Sequence, residues 1–223
     1  MDTNIIQERV DRLRHQVTEA CRRSGRTAED VTIIAVTKGF GTDEVRAAIT
    51  VGITDIGENR VQEATAKKAS LKDLHDVTWH MIGNLQTNKV KSALQTFDII
   101  HSVDSLHLAQ AISDRAPVGV PVFIEVNVAD EPTKSGVSIN DLPSLHEQIA
   151  ALPRLSVRGL MTVAPFGLPP SELRPLFRRL RTEAGALRLT QLSMGMSDDF
   201  EVAVEEGATH IRVGRAIFGE RPQ

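Results

Sequence analysis

Three groups of residues in this sequence have types and spacing suited to chemistry. Lys38 stands just beyond the apolar run VTIIAV, so a strand over that run carries its side chain out of a buried layer. Burial lowers a lysine pKa, and a neutral amine forms an imine with an aldehyde. A lysine after a strand also serves as a solvated loop residue, so Lys38 needs company to be more than that. SMGMSDD and RVGRAIFGER supply it. Ser193 and Ser197 offer hydroxyl donors, Gly195 and Gly214 permit close backbone approach, and Arg215 adds a charge-assisted contact, a set suited to an anion. Taken singly, each serine or glycine serves a cap or a turn as well as a ligand, and Ser197 is placed to cap a helix starting near Asp198. Arg212, two positions before Gly214, is expected at the last inward layer of its strand. A guanidinium there needs an acceptor: a carboxylate such as Glu125 or Glu58, or a heteroatom of a bound ring.

Asn59 in GENR, His80 and Gly83 in WHMIGN, and Met161 in GLMTV are expected to wall the same site. His80 alternates with apolar neighbours, which also describes a satisfied core histidine, and nothing at metal-ligand spacing surrounds it. Lys134, beside Ser135 and Gly136 in a long loop, either recruits an anion or is solvated.

The elements that must position these residues form a regular series. Eight runs, VTIIAV, ITDIG, VTWHMIG, DIIHSV, VPVFIEVNV, SVRGLMTV, QLSMGM and HIRVG, read as strands. Between them lie helical patterns such as TDEVRAAITVG, NRVQEATAKKAS, SLHLAQAISDRA, NDLPSLHEQIAAL, PPSELRPLFRRLRTEAGAL and SDDFEVAVEEG. Strands rich in Val and Ile, each followed by a helix, indicate a parallel sheet covered by helices. An open doubly wound sheet is the rival. Eight β/α units without a Gly-rich dinucleotide loop after the first strand favour closure, so the expected fold is α/β, a (β/α)8 TIM barrel forming one domain over residues 1–223. An additional helix over about Asn4–Arg23, stopped by Gly25, precedes it. Such a barrel gathers the strand ends at one mouth, and the loops after strands seven and eight commonly build a phosphate site.

Composition narrows the function classes. With 41% apolar and 25% charged residues among 223, the chain has the make-up of an ordinary globular protein. A net charge of −3 and a pI near 6.2 leave no basic footprint for nucleic acid or an anionic membrane. Cys21, the one cysteine, allows no internal disulfide or cysteine metal cluster and is expected as a buried structural thiol. No apolar leader or membrane-length run is evident, so a cytoplasmic location is expected. The chain contains no tyrosine.

At AVTKGF, IGENRVQE, WHMIGNLQTNKVK, IHSVDS, KSGV, GLMTV, SMGMSDDFEVAVEEGATHIRVG and AIFGER, nearly the whole chain resembles the pyridoxal phosphate homeostasis protein family. That family is similar to the N-terminal barrel of bacterial alanine racemase, the fold-type III group. The resemblance implies pyridoxal 5'-phosphate as an internal aldimine on Lys38. It also implies Ser193, its neighbours Met194 and Ser197, Gly214 and Arg215 around the phosphate, and Arg212 at the pyridine nitrogen. Asn59, His80 and Met161 complete the expected set. The sequence departs from the family pattern at Arg215, where many relatives carry a hydroxyl residue, and at Arg60. A monomeric carrier or buffer of the cofactor in vitamin B6 homeostasis, serving apo-enzymes, is the implied role. A racemase of this kind takes its second base from a tyrosine of a C-terminal domain, and no tyrosine is present. The alternative is a slow pyridoxal phosphate-dependent amino-acid racemase or lyase with Lys38 as its only base. A Schiff-base aldolase without a cofactor leaves Arg212 unexplained.

Overall fold

Ile6, Val10, Leu13, Val17 and Ala20 fall on one helical stripe. In a computed structural model, which describes residues 2–131 and 133–220, they form the buried face of α1 (Thr3–Arg23). Asp2 caps the helix by accepting the Asn4 N–H at 2.9 Å. Gly25, at φ 70°, turns the chain away where the sequence places the stop. Arg221 of the AIFGER motif lies outside the described residues.

All eight expected strands form: β1 (Thr32–Val36), β2 (Asp55–Glu58), β3 (Thr78–Met81), β4 (Ile99–Val103), β5 (Val120–Glu125), β6 (Leu155–Met161), β7 (Gln191–Ser193) and β8 (His210–Val213). They pair in parallel in chain order, and β8 closes on β1, with Ile34 opposite both Asp55 and Arg212. The architecture is the expected closed barrel, and the open sheet is excluded because every strand has two neighbours.

The crossovers are α2 (Thr42–Thr50), α3 (Val61–Ser70), α4 (Val90–Thr96), α5 (Leu106–Arg115), α6 (Leu142–Ala150), α7 (Pro170–Ala186) and α8 (Phe200–Glu205), and α9 (Arg215–Phe218) follows the last strand. At seven residues, α4 is too short to display a helical period. The helix after β7 begins at Phe200 with Asp199 as its N-cap residue, so Ser197 does not cap it as expected.

Apolar side chains between strands and helices, among them Ile56, Ile100, Ile112 and Phe177, form the main core. Truncating one such fully buried side chain to Ala typically costs about 2–5 kcal/mol. Inside the barrel the filling is unusually polar: His80, His101, Ser193 and Arg212 are all buried there beside Phe123.

Candidate functional site

A cavity of about 290 Å³ opens beyond the C-terminal ends of the strands, just under the range of about 300–1,000 Å³ usual for small-ligand sites. It brings together Lys38, Asn59, Ser197, Arg212, Gly214 and Arg215, residues drawn from four different strand ends.

Lys38 lies in the turn after β1, half-buried, because the sheet ends at Val36. Both of its chain neighbours are anchored. Thr37 donates its hydroxyl to Glu58 Oε1 at 2.5 Å and accepts at its carbonyl from Lys67 Nζ at 2.7 Å. The Gly39 N–H donates to Glu63 Oε1 at 2.8 Å. Lys67 Nζ also reaches Glu58 Oε1 at 2.5 Å and Glu63 Oε1 at 2.8 Å, so its three donors are all used. The Lys67 and Glu58 side chains are only 7% and 0% exposed. Burial pushes the Glu58 carboxyl up in spite of Lys67 and Thr37, and Glu58 Oε2 has no partner among the described residues. Sequence reading missed this clamp. Glu63 and Lys67 stand four apart on α3, a visible helix pair, but the pattern alone does not reveal that Lys67 turns inward.

Arg212 is buried with its side chain at the cavity. Its Nη1 donates to the Ser193 carbonyl at 2.7 Å and to Ser193 Oγ at 2.8 Å, and its Nη2 donates to the Thr162 carbonyl at 2.7 Å. At most three of its five N–H donors are engaged in this way. The carboxylates expected as acceptors are elsewhere: Glu58 belongs to the Lys67 clamp, and Glu125 acts on Arg212 only through space. Burial lowers the Arg212 pKa to about 10 against the pull of Asp199 and Glu125, which leaves it charged at neutral pH. Burial, helped by Asp104 and opposed by Arg212, raises Glu125 to about 7.

Asn59 is held by close packing of Gly83, where a Cβ would come within 2.5 Å of the Asn59 carbonyl oxygen. Its Oδ1 is buried without a partner among the described residues. Ser197 Oγ accepts from the N–H groups of Gly214 and Ala216, both at a long 3.3 Å. These two N–H groups therefore converge on one point. The Arg215 side chain turns to Asp198, so its guanidinium is already paired.

Six expected residues do not line the cavity: Gly83 packs on Asn59, Gly195 packs on Ala203 and Phe200, and four others lie deeper. Ser193 is fully buried behind Arg212 at the end of β7, its hydroxyl shared between Arg212 and His101. Met194 and Met161 are buried beside it, and His80 is a core histidine bonded to His101 and Asp55. The strand ends at Ser193 and Gly195, at φ 93°, turns the chain, so Met196 reaches the cavity where Met194 does not. Ile82, within WHMIGN, Val163, within GLMTV, and Phe166 also line it and were missed. Lys134 pairs with Glu131 at 2.9 Å and does not line the cavity.

Residues 9–222 match the alanine racemase N-terminal domain family. The pyridoxal phosphate homeostasis protein of Aquifex aeolicus is 44% identical, covering 96% of this chain and 97% of that one. Its counterpart in Pseudomonas aeruginosa is 41% identical, covering 97% and 96%. The chain belongs to the pyridoxal phosphate homeostasis protein family. Among solved structures, PipY of Synechococcus elongatus superposes with a TM-score of 0.87 without pyridoxal phosphate and 0.86 with it bound. Sequence identity is 42% and 41%, and coverage is 96% of this chain and 100% of PipY in both cases. Alanine racemase of Corynebacterium glutamicum, 18% identical, shares the fold at a TM-score of 0.68 over all of this homeostasis-family chain and 62% of its own.

Proposed function

We propose that this chain binds pyridoxal 5'-phosphate in the cavity, attached to Lys38, and that it carries or buffers the cofactor for apo-enzymes as a cytoplasmic, monomeric, single-domain protein over residues 1–223. The observation that carries the reading is the meeting of Lys38 with a buried arginine whose donors are not all used. The cavity fits such a group in charge as well. Lys38, Arg212 and Arg215 outnumber Asp198 among its charged lining residues, and the converging Gly214 and Ala216 N–H groups suit a phosphate oxygen. PipY, solved with pyridoxal phosphate bound, and the names of the relatives support the choice of ligand.

When bound, the cofactor supplies an electrophilic aldehyde carbon and an electron-withdrawing ring. Lys38 Nζ would hold the cofactor through that carbon, with the aldehyde oxygen lost as water on attachment and regained from water on release. The Lys67 clamp holds the turn that presents Lys38. Arg212, charged at neutral pH, would oppose a proton on the ring nitrogen if that atom faces it, because two positive groups would then meet. Carbanion chemistry is weakened, which favours carriage over turnover. Ser197 with the backbone N–H groups of Gly214 and Ala216, beside Arg215, would hold the phosphate, while Ser193 anchors Arg212 behind the cavity.

Absorbance of the purified protein before and after borohydride, followed by peptide mapping, tests the assignment. The visible band should vanish on reduction and leave a pyridoxyl group on Lys38, and Lys38→Ala should lack the band. A colourless protein that cannot be reconstituted with pyridoxal phosphate overturns the reading.

No helix among the described residues is long and apolar enough to cross a membrane.

A further inference from the structure

The barrel interior holds a line of polar side chains that the cavity itself does not use. From Arg212 Nη1 to Ser193 Oγ is 2.8 Å, from Ser193 Oγ to His101 Nδ1 2.8 Å, from His101 Nε2 to His80 Nδ1 2.9 Å, and from His80 Nε2 to Asp55 Oδ1 2.9 Å. Ser193, His101 and His80 are buried, whereas Asp55, the first residue of β2, is 22% exposed at the opposite mouth. The line crosses the barrel from one end to the other.

The Asp55 end dictates its direction when both rings are neutral. Asp55, as an ionised group, only accepts, so His80 donates to it from Nε2 and accepts at Nδ1 from His101 Nε2, and His101 Nδ1 accepts the Ser193 hydroxyl proton. At the other end the Ser193 oxygen accepts from Arg212, which only donates, in agreement with that assignment. Burial works to raise the Asp55 carboxyl, yet the bonds from His80 and Thr54 hold it below its ordinary value. Burial, with His80, His210 and Arg212 nearby, keeps His101 well below its ordinary value, consistent with a neutral ring. Phe123 stacks on His101 with ring centroids 4.3 Å apart and restricts its tilt. Every dipole in the line thus presents its negative end to Arg212 and its positive end to Asp55, which stabilises both charges.

We propose that Ser193, His101, His80 and Asp55 are positioning residues for Arg212, holding its guanidinium at the cavity and compensating its charge from the far mouth of the barrel. A consequence rests on the reading of Arg212 as the group facing the cofactor ring: Asp55, remote from the cavity, controls how long pyridoxal phosphate is retained.

Nitrogen-15 NMR of the cofactor-free protein at neutral pH reads the ring nitrogens directly. The relay requires a protonated Nε2 and a bare Nδ1 in both His80 and His101, and a shifted His101 Nδ1 resonance in Ser193→Ala. A doubly protonated His80, or a protonated Nδ1 in either ring, overturns it. In protein reconstituted with pyridoxal phosphate, Asp55→Ala should still form the Lys38 adduct but lose the cofactor at least about threefold faster. An unchanged rate in the folded variant overturns the remote role. If Asp55→Ala does not fold, Ser193→Ala cuts the line at its other end with the same expectation and the same refutation. Wild-type protein that shows the required tautomers but takes up no pyridoxal phosphate supports the relay and overturns only the reading of the Lys38 cavity.

Discussion

Replacing Lys67 by Met keeps most of the side-chain volume and removes the ammonium that ties Thr37, Glu58 and Glu63 together. Three short bonds are lost, and Glu58, at 0% exposure, is left without its counter-charge. Breaking one partner out of a buried pair costs about 3–5 kcal/mol, and the lower figure applies here because the Glu58 carboxyl, already raised by burial, can take a proton. For a chain of this length, about 3 kcal/mol corresponds to a fall in Tm of roughly 6–12 °C. The deficit has a defined pH dependence. A raised folded-state carboxyl contributes stability below its ordinary value of 4.5 and loses that contribution as pH rises, so the gap between variant and wild type should narrow towards acid pH. Denaturant melts from pH 5 to 8 measure this. The rate of borohydride-trappable adduct formation measures the second consequence, because both neighbours of Lys38 lose their anchors. An unchanged Tm would refute the energetic reasoning. A lowered Tm with an unchanged adduct rate would refute the view that Lys67 positions Lys38.

Other expectations follow from the same geometry. Glu125 is raised from 4.5 to about 7, so wild-type stability should carry a contribution that is full below about 4.5 and is lost as pH rises through about 7, worth at most roughly 3 kcal/mol. Glu125→Gln should flatten that part of the stability profile, and an unaltered slope would show that another group is responsible. Gly83→Ala places a Cβ 2.5 Å from the Asn59 carbonyl oxygen and 2.8 Å from its Cα, so Asn59 must shift. A cost of about 1–3 kcal/mol and faster cofactor loss are expected from melts and absorbance. On the proposed placement of Arg212 at the ring nitrogen, holoprotein incubated with L-amino acids in deuterated water should exchange no α-proton at a useful rate. Rapid exchange would favour the racemase or lyase alternative.

The alternation of Val- and Ile-rich runs with helical patterns made the eight strands, most of the crossovers and their closure legible, because strand period, helix period and caps are local properties. Lys38, Asn59, Ser197, Arg212, Gly214 and Arg215 were legible as a group for the same reason: each follows or ends a run, and a parallel barrel delivers all such positions to one mouth. Short α4 carried too little periodicity to be seen. Direction was the harder matter. Ser193 and Met194 stand three and two positions before Met196, which lines the cavity, yet point elsewhere, because β7 ends at Ser193 and the chain turns at Gly195, φ 93°. The inward turn of Lys67 and the His101–Ser193 bond, which joins residues 92 apart in sequence, depend on how the closed sheet staggers its strands. The sequence by itself determined the elements and the strand ends where chemistry gathers. Only the tertiary structure decided which polar groups reach the cavity and which stand behind it, since hydrogen-bond partners inside a barrel are set by closure and register rather than by any local pattern.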